Sequence, residues 1–167
     1  MNYNSGWYID TAINNDLIQY CNSVDGIWDQ QYGVGRAKQK GSNVHNAFRL
    51  NIDEDNYNVL NEFLFLDNYK IFGAYILKYG PNSFTGMHQD NSEESQKTSI
   101  TLIEQSNDIV GGKAIITDTM GAPIIVEQQV GQTLWYDQSL WHGVSKIEKG
   151  ERKVLVTWWK NNAHKQI

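Results

Sequence analysis

The chain is poor in cysteine and proline and has no long apolar run. Cys21 is its one cysteine, so an intramolecular disulfide and a cysteine-built zinc site are both excluded. No stretch approaches the roughly 18 apolar residues of a membrane span. The opening Met1-Asn2-Tyr3-Asn4-Ser5-Gly6 has neither the charged start nor the apolar run of a secretory signal. A cytoplasmic protein with no membrane segment is therefore expected, and a reducing compartment suits the lone thiol. Only Pro81 and Pro123 stand against 14 glycines, a balance that suits tight turns between short strands. A net charge of −5 makes the surface as a whole a poor match for a nucleic-acid backbone.

What is present reads as an ordinary globular domain. The chain has 167 residues, 40% hydrophobic and 20% charged, enough for one sizeable core. There is no repeat or linker, so a single domain over 1–167 is expected, with a helical part over about 1–68 and a β-core over about 69–160. Thr11 to Asn22 reads as a helix capped by Asp10 or Thr11, with Ile13, Leu17, Ile18 and Cys21 on one face. Asp53 to Leu66 reads as a second, its acidic start suited to a helix N-terminus. After Asn68 come short β-branched and aromatic runs: Lys70–Tyr79, Thr98–Glu104, Lys113–Thr117, Pro123–Glu127, Thr133–Asp137 and Lys153–Trp159. Such spacing suggests a β-sandwich or barrel with the early helices packed outside. Segment 36–49, with Arg36, Lys38, Lys40 and Arg49, reads as a solvated loop or a substrate-facing arm.

The chemistry concentrates in His88-Gln89-Asp90, His142 and Arg152. Residues two apart in a strand share a face, so His88 and Asp90 can reach one ion from one short segment. His142 follows 52 residues later, after another strand, and opposed sheets bring such remote segments together. Two histidines and a carboxylate on one side of a metal leave open positions, the facial arrangement of non-haem Fe(II) oxygenases. A keto acid can fill two of them and O₂ the third. Arg152 offers a bidentate fork for the far carboxylate of that acid, and Tyr79 a phenol beside it.

Tyr79-Gly-Pro-Asn-Ser-Phe-Thr-Gly-Met-His88-Gln-Asp90-Asn91 resembles the iron-binding stretch of 2-oxoglutarate-dependent oxygenases of the prolyl hydroxylase group. Gly111-Gly112 resembles their central turn. Val130 to Tyr136, His142-Gly143-Val144 and Gly150-Glu151-Arg152 resemble their last two motifs. The resemblance spans roughly residues 70–160, with four motifs in order. It implies a mainly β (α+β) double-stranded β-helix, the jelly-roll or cupin-like core, with His88, Asp90 and His142 as Fe(II) ligands. Arg152 and Tyr79 would contact 2-oxoglutarate, with Thr101 and Trp158 lining its pocket. Two departures stand out: Asn82 where the family has glycine, and no Tyr-Leu-Asn around Glu104-Gln105. Asn tolerates left-handed geometry, so the first departure bears on a turn.

The function so implied is an Fe(II)- and 2-oxoglutarate-dependent dioxygenase, taking O₂, releasing succinate and CO₂, and stimulated by ascorbate. A prolyl residue in a protein or peptide is the first expectation for its substrate, with segments 36–49 and 91–98 holding it. A small-molecule or amino-acid hydroxylase and a nucleic-acid demethylase of the same superfamily are alternatives. Against the demethylase stand the negative charge and a tryptophan, Trp158, six residues after Arg152. A cupin-like metal-binding module without turnover is the non-enzymatic alternative. No oligomeric state follows. His45 and His164 lack partners at ligand spacing and read as structural. Asp137 reads as a turn residue, Lys97 and Glu93-Glu94 as solvated charges, Lys153 as facing away from Arg152, and Trp135, Trp141 and Trp159 as core or rim aromatics.

Overall fold

The computed structural model describes residues 6–32, 43–90 and 96–162. Strand β1 (Trp7–Asp10), helix α1 (Asn15–Ser23), strand β2 (Asp29–Tyr32) and strand β3 (Val44–Asn51) come first. A 3-10 turn (Glu54–Asn56) leads into α2 (Tyr57–Phe63). The remainder is β: β4 (Tyr69–Tyr79), β5 (Phe84–His88), β6 (Gln96–Gln105), β7 (Ala114–Thr117), β8 (Pro123–Val126), β9 (Thr133–Asp137), β10 (His142–Val144) and β11 (Arg152–Asn161). The strands hydrogen-bond in the order β1-β9-β6-β11-β4-β3-β5-β10-β7-β8, with β2 added on β3. The sheet curls over at the short β3–β5 pairing, Val44↔Thr85 and His45↔Phe84. Ala114, Ile116 and Val126 of β7 and β8 then pack on Leu134 and Tyr136 of β9, which closes two layers on each other. This is the expected jelly roll with the helices outside.

Strand periodicity sorts the core into two faces. On β11, Leu155 and Trp159 join Leu17, Cys21 and Leu60 on the helix side, while Val154 and Val156 join Leu77, Tyr79 and Leu102 inside. Both faces are covered, so the central strands read as near-continuous apolar runs. Burying each large side chain there contributes about 1.5–3 kcal/mol. Among the described residues, no helix is long and apolar enough to cross a membrane.

Several boundaries differ from expectation. The segment expected as helical, about 1–68, also supplies β1, β2 and β3. These were hidden because β2 is polar (Asp-Gln-Gln-Tyr) and β3 breaks its alternation at Asn46, where a φ of 55° lets the next residues change face. Helix α1 starts at Asn15, not Thr11: Asn14 Oδ1 accepts from Leu17 N at 3.1 Å, while Asp10 Oδ1 accepts from Ala12 N in the turn before it. The acidic start of the second helical segment is a 3-10 turn. Strands β5 and β10 are short and carry glycine, so their pattern alone does not announce them.

Candidate active site

Antiparallel pairing of β5 with β10 sets His142 directly opposite His88, so two residues 54 apart in sequence become cross-strand neighbours. Their rings lie 4.3 Å apart, centroid to centroid. His88 Nδ1 donates to the Gly86 carbonyl at 2.7 Å and His142 Nδ1 to the Leu140 carbonyl at 2.9 Å. A carbonyl can only accept, so each Nδ1 carries a proton; each Nε2 donates to Asp90 when protonated and offers its lone pair to a metal ion when not. Both Nε2 atoms face Asp90 Oδ1, at 3.2 Å from His88 and 3.4 Å from His142. The three donor atoms lie within 4.8 Å of one another, a spacing that one transition-metal ion bridges.

Asp90 reaches this place differently from the expectation. Strand β5 ends at His88, and Asp90 sits in a bend beyond it. Its N–H donates to the Gln138 carbonyl at 3.0 Å, and Thr98 Oγ1 donates to Oδ2 at 2.7 Å. Side-chain alternation in one strand is therefore not what brings the carboxylate to the imidazoles; contacts from the 138 turn and β6 do.

The electrostatics favour a charged carboxylate. Burial pushes the Asp90 carboxyl up, but hydrogen bonds from His142 and His88, the charge of His142 and the Thr98 hydroxyl outweigh it and hold the group well below the usual range. Burial likewise lowers His88, yet the Asp90 and Gly86 hydrogen bonds and the Asp90 charge leave it raised. Tyr136 packs on His142 at 4.4 Å between ring centroids. Burial first, and the Asp90 charge second, keep its phenol neutral.

The same cavity holds Arg152, Thr85, Ile100, Leu134, Tyr136 and Val156 beside the three donors. Arg152 opens β11 opposite Tyr79 and is 4% exposed. Its Nη1 donates to the Gly112 carbonyl and its Nη2 to Gln128 Oε1 at 3.3 Å. Among the described residues, Nε meets no acceptor and no carboxylate pairs with the guanidinium. A buried cation held only by neutral groups is costly, and an acid entering this cavity relieves that cost. Tyr79 is 2% exposed, and its hydroxyl shares a 2.8 Å hydrogen bond with Thr85, a cavity-lining residue. Burial raises its phenol, against the Thr85 hydrogen bond and the Arg152 charge.

Two expected pocket residues lie elsewhere. Thr101 faces the other side of β6 from Ile100 and bonds Thr133 at 2.8 Å. Thr133 and Trp135 line a separate cavity of about 410 Å³ on the helix side, so Thr101 is turned out of the metal cavity by strand alternation. Trp158 is on the inner face but at the far end of β11 from Arg152, edge-on to Tyr75 at 5.5 Å. It packs on Tyr75, a residue of the cavity wall, and does not itself line the cavity. Lys97 is not a solvated loop charge: it lies on β6 and pairs with Asp137. Lys153 points to the helix side, donating to Asn22 Oδ1 at 2.9 Å. His45 stacks on Phe84 at 4.2 Å, Trp135 and Trp159 are buried and Trp141 is half exposed. Asn82 adopts a φ of 69°, the left-handed turn that the family's glycine would make. Residues 36–42 of the basic segment, 91–95 of the second substrate segment (including Asn91, Glu93 and Glu94) and His164 lie outside the described residues. Thr98, Thr85 and Gln128 are site residues that the sequence reading missed. Thr98 shares its strand face with Ile100 and could have been found by alternation, whereas Gln128 follows β8 in a polar run and carries no local signal.

No family model matches the chain. A PKHD-type hydroxylase of Prochlorococcus marinus (strain MIT 9301) is 30% identical over 92 residues, which cover 53% of this chain and 41% of that protein. The match thus spans about two fifths of the relative's length. A prolyl-4-hydroxylase from Pseudomonas putida superposes with a TM-score of 0.67 at 16% identity, covering 94% of this chain and 93% of the other. HygX from Streptomyces hygroscopicus, solved with nickel, 2-oxoglutarate and hygromycin B bound, superposes with a TM-score of 0.61 at 10% identity, covering 95% and 84%. At such identities these likenesses show the fold: this chain has the double-stranded β-helix found in 2-oxoglutarate–Fe(II) oxygenases.

Proposed function

We propose that the chain is an Fe(II)- and 2-oxoglutarate-dependent dioxygenase that hydroxylates a prolyl residue in a protein or peptide. The observation that carries the reading is one cavity holding both a His88–Asp90–His142 cluster and a buried Arg152 that has no carboxylate partner among the described residues. The donor set fits Fe(II): two neutral imidazoles and one carboxylate, all from one side. When bound, iron with 2-oxoglutarate and O₂ supplies the oxidation, with succinate and CO₂ as co-products and one oxygen atom placed into a C–H bond.

The chain's own residues do the rest. The Gly86 and Leu140 carbonyls hold the imidazoles in the tautomer that binds metal, and Thr98 orients Asp90. Arg152 draws the distal carboxylate of 2-oxoglutarate inward, with Tyr79 and Thr85 beside it. Ile100, Leu134 and Val156 exclude water from the reacting centre. The prolyl substrate rests on the resemblance of residues 70–160 and on what the Prochlorococcus and Pseudomonas proteins are called. A reducing compartment such as the cytoplasm suits Fe(II) and the buried, free Cys21.

The test is succinate formation from 2-oxoglutarate with Fe(II), O₂ and ascorbate, in the wild type and in His88→Ala and Asp90→Ala. Iron-dependent turnover lost in both variants is the expected result; wild-type rates in both would sink the assignment, and no turnover in any would leave a metal-binding module. Mass spectrometry of peptides and cell extract should then find a proline heavier by one oxygen atom. A modified base or metabolite in its place would overturn the prolyl substrate.

A further inference from the structure

We infer that Gln128 is a positioning residue for Arg152: it aims the guanidinium at the acid end of the cavity without neutralising it. The inference rests on the 2-oxoglutarate reading above and adds a residue to it. Arg152 is buried, so its charge is available only to a group that enters the cavity or already lies against it. Two neutral acceptors hold its fork, the Gly112 carbonyl on Nη1 and Gln128 Oε1 on Nη2.

The direction of the Gln128 amide is set by its other end. Nε2 donates to the Ile100 carbonyl at 2.9 Å and to the Gln132 carbonyl at 3.0 Å. Both partners are acceptors only, so the nitrogen must lie there and the oxygen must face Arg152. The amide is thereby locked between β6, the 132 turn and the arginine. The next residue back, Glu127, is a carboxylate, but it is exposed and pairs with Lys113 at 2.8 Å. A neutral acceptor thus stands at 128, where a carboxylate would form an internal ion pair.

The Gly112 acceptor has a structural cause of the same kind. Gly111 and Gly112 both have positive φ, 81° and 66°, and a Cβ on Gly111 would fall 1.9 Å from the Lys146 carbonyl oxygen. Only glycine follows this path, and the path is what presents the Gly112 carbonyl to Nη1. Five donors less these two leave Nε–H and the remaining Nη hydrogens for a bidentate carboxylate.

The experiment measures equilibrium binding by calorimetry, starting from the metal-free protein, at a temperature well below melting. Wild type, Gln128→Met and Gln128→Glu are titrated first with Mn(II), then with 2-oxoglutarate. Mn(II) affinity should stay within about twofold in all three. The 2-oxoglutarate dissociation constant should rise about tenfold in Gln128→Met, the scale of one hydrogen bond to a charged group. It should rise further in Gln128→Glu, where the new carboxylate competes for the fork. Lowered melting temperatures with unchanged 2-oxoglutarate binding in both variants would overturn the inference and leave Gln128 a structural residue. If the wild type bound Mn(II) but no 2-oxoglutarate, the co-substrate reading itself would fall, and this role with it.

Discussion

The Thr98 hydroxyl donates to Asp90 Oδ2 at 2.7 Å and so turns Oδ1 toward both imidazole Nε2 atoms. The threonine is fully buried on β6, a strand that contributes none of the three residues of the His88–Asp90–His142 cluster. It orients the carboxylate from behind, the usual task of a residue one shell away from a metal.

Thr98→Val keeps the shape and removes the donor. Metal affinity should fall about 10- to 100-fold, the range for loss of such a partner. Calorimetry with Mn(II) checks this. Unchanged affinity would mean that the Gln138 carbonyl, which accepts from the Asp90 N–H, suffices to orient the group.

Arg152→Ala should raise the 2-oxoglutarate requirement at least about 100-fold, since a charge-assisted bidentate pair is lost, and leave Mn(II) affinity unchanged. Thr101→Val should do neither, because Thr101 bonds Thr133 on the opposite face of β6. Loss of metal binding in the first variant, or of 2-oxoglutarate binding in the second, would contradict the placement of these side chains.

Gly111→Ala should destabilise the fold. The residue sits at a φ of 81° with the Lys146 carbonyl where a Cβ would go, and the backbone strain alone costs about 1–3 kcal/mol. Urea denaturation reads the loss. A variant that retained wild-type stability would show that the turn can relax.

Cys21 is 2% exposed, and burial pushes its thiol up to about 12, with the Lys153 charge opposing. The unfolded chain releases this proton at about 8.5. The thiol's contribution to stability is therefore complete below about 8.5 and is lost as pH rises toward about 12. The thiolate is the nucleophile, so iodoacetamide at mildly alkaline pH should label the folded protein slowly and the urea-unfolded chain fast. Rapid labelling without urea would contradict this packing.

The central β-core was readable because β4, β9 and β11 are buried on both faces and written as largely apolar runs, and β6 as a run rich in β-branched residues. Strands β2, β3, β5 and β10 were not, because each is short, polar or interrupted by glycine or left-handed asparagine. The His88–Asp90–His142 cluster was readable because metal-binding chemistry restricts the residue types. Thr101 was misplaced because a resemblance carries a position along the strand, and one residue of phase reverses its face. Gln128 was unreadable because nothing local separates it from its polar neighbours.

By itself the sequence determined which groups can bind a metal and grip an acid, since imidazole, carboxylate and guanidinium chemistry belongs to the side chain wherever it lies. Only the tertiary structure decided that His142 faces His88, that Thr98 turns Asp90, and that Arg152 is buried with neutral partners. Those relations come from strand register and sheet closure. They are set by the packing of segments tens of residues apart, and no local pattern encodes them.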